Sequence, residues 1–294
     1  MSMSAIKTSW AGRSIGLFSC LVLFSCAAPD DRVSRHAAVE NNVSYASVTE
    51  LDYAEADASF VYGDANPDLQ YGLLWLPRDI ADGRQVPLVV LIHGGCWLNR
   101  FDIQHSYALS SALAEAGYGV WSLEYRRTGD AGGGWPGSFE DIVQGLAFIP
   151  NLNDFPLDLE RIAIMGHSAG GHLALLAGAQ AQNVDAVIGL AAITDIIEYS
   201  RGGNSCQAVT VDFMGGEFET NPAAYHAANP AGKSLHDRTV LLHGDNDGIV
   251  PPKQARVPGA TTLVLEGAGH FDWIHPGTEA YRLLLSTLEE IFQK

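Results

Sequence analysis

The pentapeptide Gly166-His167-Ser168-Ala169-Gly170 carries a hydroxyl nucleophile between residues small enough for a sharp turn. It follows an aliphatic run at 161–165 and opens an alanine- and leucine-rich stretch at 170–181. A serine held between a strand and a helix in this way stands exposed above a sheet edge, as a nucleophile elbow. In a chain with 31 glycines the pentapeptide alone is a weak signal, and its strand–turn–helix context gives it weight. A serine hydroxyl attacks poorly at neutral pH, so acyl transfer needs a base within hydrogen-bond reach and a third group that orients the base.

Two downstream loops offer those groups. The run at 239–242 leads into His243-Gly244-Asp245-Asn246-Asp247-Gly248-Ile249-Val250-Pro251, where Asp245 and Asp247 compete as the acid. After the next run, at 262–265, Gly267-Ala268-Gly269-His270-Phe271 places His270 on a loop. His275 is a second candidate base, farther from the strand and directly before Pro276, so His270 is preferred. Donors for a tetrahedral oxyanion are expected from the Ala169 amide and from His93-Gly94-Gly95-Cys96-Trp97, which follows the aliphatic run at 88–92. Glycine lets backbone amides turn inward, so Gly95 and Cys96 are the expected partners of Ala169. Trp97 is a candidate wall of the substrate pocket, as is Trp273, although an aromatic beside a loop is as often core. His93, His167, His172, His243 and Asp245 are read as scaffolding, and Glu140 and Asp141 as charges favoured at a helix start.

Strands must hold these loops in register. Unbroken aliphatic runs mark strands buried on both faces. They recur at 72–76, 88–92, 119–125, 161–165, 184–192, 239–242 and 262–265, with helical spacing at 107–116, 139–149, 170–181 and 278–292. Strands alternating with helices imply an α/β fold with a mostly parallel central sheet and helices on both faces. Residues 195–235 break the alternation with Gly202-Gly203, Gly215-Gly216 and two Asn-Pro pairs, and are expected to form a loop-rich cap insertion over the carboxyl edge of the sheet.

Composition narrows the classes. The chain has 294 residues, 47% hydrophobic, with 34 acidic against 17 basic side chains and a formal net charge of -17. Such a body repels nucleic acid, and no window supplies a basic patch. No H-E-x-x-H, C-x-x-C, Walker or dinucleotide fingerprint occurs, so no metal or cofactor is expected. The partner is expected to be a small-molecule ester, and oligomeric state is not legible.

The amino terminus differs from the rest. Up to residue 26 there is no acid, only Lys7 and Arg13, followed by an apolar run at 15–24. Ten apolar residues are half of the about 20 that span a bilayer, so residues 1–25 read as an export signal. Leu23-Phe24-Ser25-Cys26 resembles the bacterial lipoprotein box, with lipid on Cys26. The earlier Leu17-Phe18-Ser19-Cys20 repeats the pattern, but a cut there leaves residues 21–24 exposed. A periplasmic or cell-envelope lipoprotein is expected, with plain secretion after cleavage near Ala27 or Ala28 as the alternative. Residues 26–58 are polar and read as a tether, and the catalytic domain spans 59–294. Cys96 and Cys206 are the remaining cysteines; an oxidising compartment permits them to pair, and the sequence leaves this open.

Taken together, His93-Gly94-Gly95-Cys96-Trp97 and Gly166-His167-Ser168-Ala169-Gly170-Gly171-His172 resemble the α/β-hydrolase esterases of the hormone-sensitive-lipase and kynurenine-formamidase kind, including bacterial feruloyl-esterase-like members. Glu124-Tyr125-Arg126, the segment 132–136 and the Asp-x-x-Val-Pro at 247–251 are similar too. The resemblance covers about residues 60–294 and implies a serine esterase whose acid is Asp247, completing a Ser168-Asp247-His270 triad. Cys96 stands where that branch commonly has Gly, Ala or Tyr; a disulfide to Cys206 in the cap would pin the site. An amidase, formamidase or small peptidase with the same triad is the alternative enzyme, and a non-catalytic binding module on this fold the alternative of another class.

Overall fold

The computed structural model describes residues 36–293. The export signal and the lipid-bearing Cys26 lie outside the described residues. In chain order the elements are α1 Tyr45–Thr49, β1 Ala58–Val61, β2 Tyr71–Trp75, β3 Val86–Ile92, α2 Tyr107–Glu115, β4 Gly119–Leu123, α3 Gly137–Ala147, β5 Leu157–His167, α4 Ala169–Gly178 and β6 Ala186–Leu190. Then follow α5 Ile196–Tyr199, α6 Ser205–Ala208, α7 Thr210–Met214, α8 Pro222–Ala227, β7 Thr239–Gly244, β8 Ala260–Leu265 and α9 Glu279–Phe292.

Eight strands form one sheet in the order β1-β2-β4-β3-β5-β6-β7-β8. β1 pairs antiparallel to β2 and β2 to β4, while β4, β3, β5, β6, β7 and β8 run parallel. This is the α/β-hydrolase fold. The unbroken aliphatic runs have a direct cause: alternate residues of a strand point to opposite faces, and both faces are covered. Leu88, Val90 and Ile92 of β3 pack on the side of α3, α4 and the cap, whereas Val89 and Leu91 pack on the side of α2 and α9. β8 closes the far edge, where Thr261 to Val264 stay exposed.

The insertion at 195–235 is loop-rich and also carries the short helices α5 to α8, with Tyr199, Phe213, Met214 and Tyr225 buried beneath it. Its glycines and Asn-Pro pairs separate helical turns; Asn204, for example, forms a capping box with Gln207. One expectation needs correction, the stretch read as a tether. Residues 36–57 lie on the domain: Val48 is buried in the core, the Ala54 amide donates to Ser111 Oγ at 2.8 Å, and Trp75 Nε1 donates to the Ala54 carbonyl at 2.7 Å. The stretch is fastened by these hydrogen bonds together with the packing of Val43, Val48 and Ala56 and the ring contacts of Tyr45 and Tyr53. Among the described residues no helix is long and apolar enough to cross a membrane.

The centre of the sheet has no spare room. A Cβ on Gly170, in the first turn of α4, would lie 2.2 Å from the Ile92 carbonyl oxygen and 2.3 Å from that of His93. Gly170→Ala is therefore expected to destabilise the protein by about 1–3 kcal/mol, the range of overpacked cores, and a denaturant titration checks this.

Candidate active site

Ser168 is the residue between β5 and α4, with φ 55° and ψ -118°. This is a left-handed, strained conformation for a residue with a Cβ, of the kind that persists only where surrounding packing enforces it. It turns the chain directly from strand to helix and leaves the Ala169 amide at the start of a ten-residue helix, where the helix dipole favours negative charge. The loop after β3 is strained in the same sense, with positive φ at Gly95 (105°), Cys96 (52°) and Trp97 (57°). Only the first of these is a glycine. Gly95, Cys96, Ser168 and His270 line one cavity of about 220 Å³, together with Tyr45, Phe101, His105, Ile249 and Phe271.

His270 sits after β8, and its Nδ1–H donates to Asp247 Oδ2 at 2.8 Å. Asp247 Oδ1 accepts from the Ile249 and Val250 amides, each at 2.8 Å. Burial alone would raise the Asp247 carboxyl. The neighbouring His270, the Val250 amide and His243 outweigh burial and hold it below the ordinary carboxylate range. An ionised, oriented carboxylate thus faces the imidazole. Asp245, the competing acid, instead accepts from the Gly267 amide at 2.6 Å and ties the acid loop to the loop before His270. His275 does not line the cavity; its Nδ1 accepts from the Gly277 amide.

A buried polar frame lies beneath the loop after β3 and the loop that carries His270. His93 Nε2–H donates to Glu124 Oε1 at 3.0 Å, and Glu124 also accepts from the amides of Tyr125 and Ile103 and from Arg127 Nη1. The Tyr125 hydroxyl donates to the His93 carbonyl at 2.9 Å. His167 Nε2–H donates to the His270 carbonyl at 2.9 Å, which leaves Nδ1 to accept from His105 Nε2–H at 2.8 Å. Burial, reinforced by the charge of His270, lowers His167 to about 3, so it stays neutral and keeps this tautomer. His105 is likewise pushed well down by burial and by His167.

Residues 74–258, more than half of the chain, match the BD-FAE family model. The chain belongs to the BD-FAE family. It is 25% identical to Esterase LipQ of Mycobacterium tuberculosis over 91% of its own length and spans 69% of that protein. Among solved structures it is similar to a truncated form of carbohydrate esterase from gut microbiota, with TM-score 0.69, 20% identity and coverage of 82% of this chain and 98% of that one. A C6-C4 SN3 inhibited Esterase B from Lactobacillus rhamnosis gives TM-score 0.69 and 21% identity, over 84% of this chain and 91% of that one. The solved structures share the fold. With the family and its esterase relatives, this protein is a carboxylic ester hydrolase of the esterase/lipase group.

Within the family frame, two side chains, Trp97 and Asp141, play other parts than the sequence suggested, and Trp273 takes the core alternative that the sequence left open. Trp97 is fully buried and does not line the cavity; it stacks on Phe213 of α7 at 4.5 Å and meets His172 edge-on at 5.3 Å. Its backbone belongs to the loop while its indole locks the cap to the core, so it is not a substrate-binding side chain. Trp273 is core as well. Asp141 is no solvated helix-start charge: it is fully buried and takes both Nε and Nη2 of Arg126, with Gln70 Nε2 as a further donor. Sequence reasoning missed Tyr45, Phe101, His105 and Phe271 in the cavity wall. Phe101 and Phe271 stand close to the motifs, whereas nothing in the polar window around Tyr45 marks it.

Cys96 and Cys206 form a disulfide across 110 residues, joining the loop after β3 to α6 of the cap at the cavity wall. His172 supports the same cap, donating to the Ala228 carbonyl after α8 at 2.6 Å. Cys206→Ser is expected to lower stability by about 2–5 kcal/mol, as for native disulfides closing long loops, and to lower kcat/KM because the Cys96 loop loses its tie; parallel denaturant titrations and ester assays check both.

Burial lowers His172 to about 4. Between pH 4 and about 6.5 the unfolded chain then binds a proton at this side chain that the folded chain does not, so stability falls as pH drops through that window. His172→Asn should make the fall shallower by about 1.4 kcal/mol per pH unit, measured by denaturant titrations at pH 7, 6 and 5.

Proposed function

We propose that this protein hydrolyses small carboxylic esters through an acyl-enzyme on Ser168, with His270 as the base and Asp247 orienting it. The observation that carries the reading is the 2.8 Å bond from His270 Nδ1 to Asp247, with His270 and Ser168 in the wall of one cavity. The Ser168 hydroxyl attacks the ester carbonyl carbon as its proton passes to His270 Nε2. The carbonyl oxygen becomes an oxyanion held by the backbone amides of Gly95, Cys96 and Ala169. Collapse of this intermediate expels the alcohol, which takes the proton from His270. Water, deprotonated by the same imidazole, then attacks the acyl-serine, and the imidazolium returns the proton to the Ser168 oxygen as the acid is released. The Asp247 carboxylate stabilises the imidazolium without itself taking the proton.

The disulfide supports placing this activity outside the cytoplasm, since such bonds persist in oxidising compartments. We infer that residues 1–25 are an export signal and that Cys26 bears the lipid that holds the protein at the cell envelope. Without residues 1–25, which carry Lys7 and Arg13 and no acid, 15 basic face 34 acidic side chains, and a body of net charge -19 gains no attraction to anionic lipid, so an acyl anchor would have to supply the attachment.

Ser168→Ala is expected to reduce turnover of p-nitrophenyl acetate by at least about 10³-fold, leave the melting temperature nearly unchanged and abolish labelling by a fluorophosphonate probe. Retained turnover would refute the assignment. Absence of labelling in the wild-type chain would point to a binding module instead.

A further inference from the structure

The cavity that holds Ser168 and His270 measures about 220 Å³, below the about 300–1,000 Å³ usual for ligand sites. Two parts of its wall come from outside the residues 74–258 matched by the family model, the His270-Phe271 loop and, from the amino-terminal side, Tyr45. Tyr45, on α1, sets its ring 5.5 Å from each of Phe101, His105 and Phe271, all in the cavity wall. A five-residue helix does not hold its place by itself. Its position comes from Asp272, which is fully buried and accepts from the amides of Asn42 at 2.6 Å and Val43 at 2.7 Å. The same carboxylate accepts from the Gly269 amide at 2.8 Å, one residue before His270. A Cβ on Gly269 would lie 2.4 Å from Asn42 Oδ1, so the segment lies directly against the loop that carries the base. Val48, buried on the α2 side, holds the other end of α1.

We propose that residues 36–57 form an integral wall of the catalytic cavity, in which Tyr45 limits the size of the ester arm admitted and Asp272 is the positioning residue that fastens this wall to the His270 loop. The proposal rests on the Ser168 reading above. Removing the Tyr45 ring opens the cavity beside Phe101 and Phe271, and enlarging it closes the cavity further. Asp272 acts on Tyr45 through Asn42 and Val43 and on the His270 loop through the Gly269 amide, so weakening its bonds lowers turnover of every ester, while the ratio between long and short esters reports the displacement of Tyr45.

The test uses the full chain and p-nitrophenyl esters from acetate to octanoate, with acetate esters of graded alcohols as a second series. Tyr45→Ala should raise kcat/KM for the longer esters relative to acetate by about tenfold or more in one of the series, the scale on which methylenes are discriminated in apolar pockets. Tyr45→Trp should shift the ratio the other way, and Tyr45→Phe, which keeps the ring, should restore the wild-type ratio. Asp272→Asn should move the ratio in the same direction as Tyr45→Ala, an effect that a purely structural carboxylate would not have. If Tyr45→Ala does not fold, Tyr45→Trp decides. Unchanged ratios in both series, in Tyr45 variants that still label with the fluorophosphonate, overturn the proposal and leave the Ser168 reading intact. Turnover retained by Ser168→Ala in the same assays overturns that reading, and with it the basis of this one.

Discussion

The close approach of the start of α4 to the end of β3 is the constraint on which the rest depends. The backbone of Gly170 runs against the carbonyls of Ile92 and His93, leaving no space for a side chain. The contact brings the strained Ser168 turn and the strained loop at 95–97 within reach of one cavity. Both are unfavourable conformations for residues with a Cβ, and they persist because the sheet centre beneath them is closed on both faces.

Polar groups carry that rigidity upward from the sheet. Glu124 gathers four donors from three segments, and the His105–His167 pair ends on the backbone carbonyl of His270. In a low-dielectric interior such bonds strengthen one another, and each tautomer is fixed by its neighbour. His270 is therefore held from two sides, its ring by Asp247 and its backbone by His167. Most of the histidines serve position, and burial keeps the inner ones neutral so that they add no charge beside His270.

The outer walls are held by different means. The cap is tied by the Cys96–Cys206 disulfide, by the Trp97–Phe213 stack and by His172 on the Ala228 carbonyl. On the opposite side, residues 36–57 hang from Asp272 and from Val48. Specificity loops of α/β proteins vary while their scaffold stays constant, and here the cap insertion and the segment before β1 meet at one small cavity.

The sequence by itself determined the sheet, because strands buried on both faces must be aliphatic throughout and so appear as runs at 88–92, 161–165 and 239–242. Local sequence also marked the serine turn and the glycine loop, whose backbone demands restrict residue type, and the His270 loop by its place after a strand. The cap's helices were hidden because four or five residues are too few to show a period. Which way Trp97 points, whether Asp141 meets water or Arg126, which acid faces His270 and whether two cysteines 110 residues apart touch depend on which segments the fold brings together. The segment around Tyr45 is the extreme case: a polar window carries no period of its own. Only the buried Asp272 carboxylate, offering its oxygens to two of that window's backbone amides, turns it into a wall of the site.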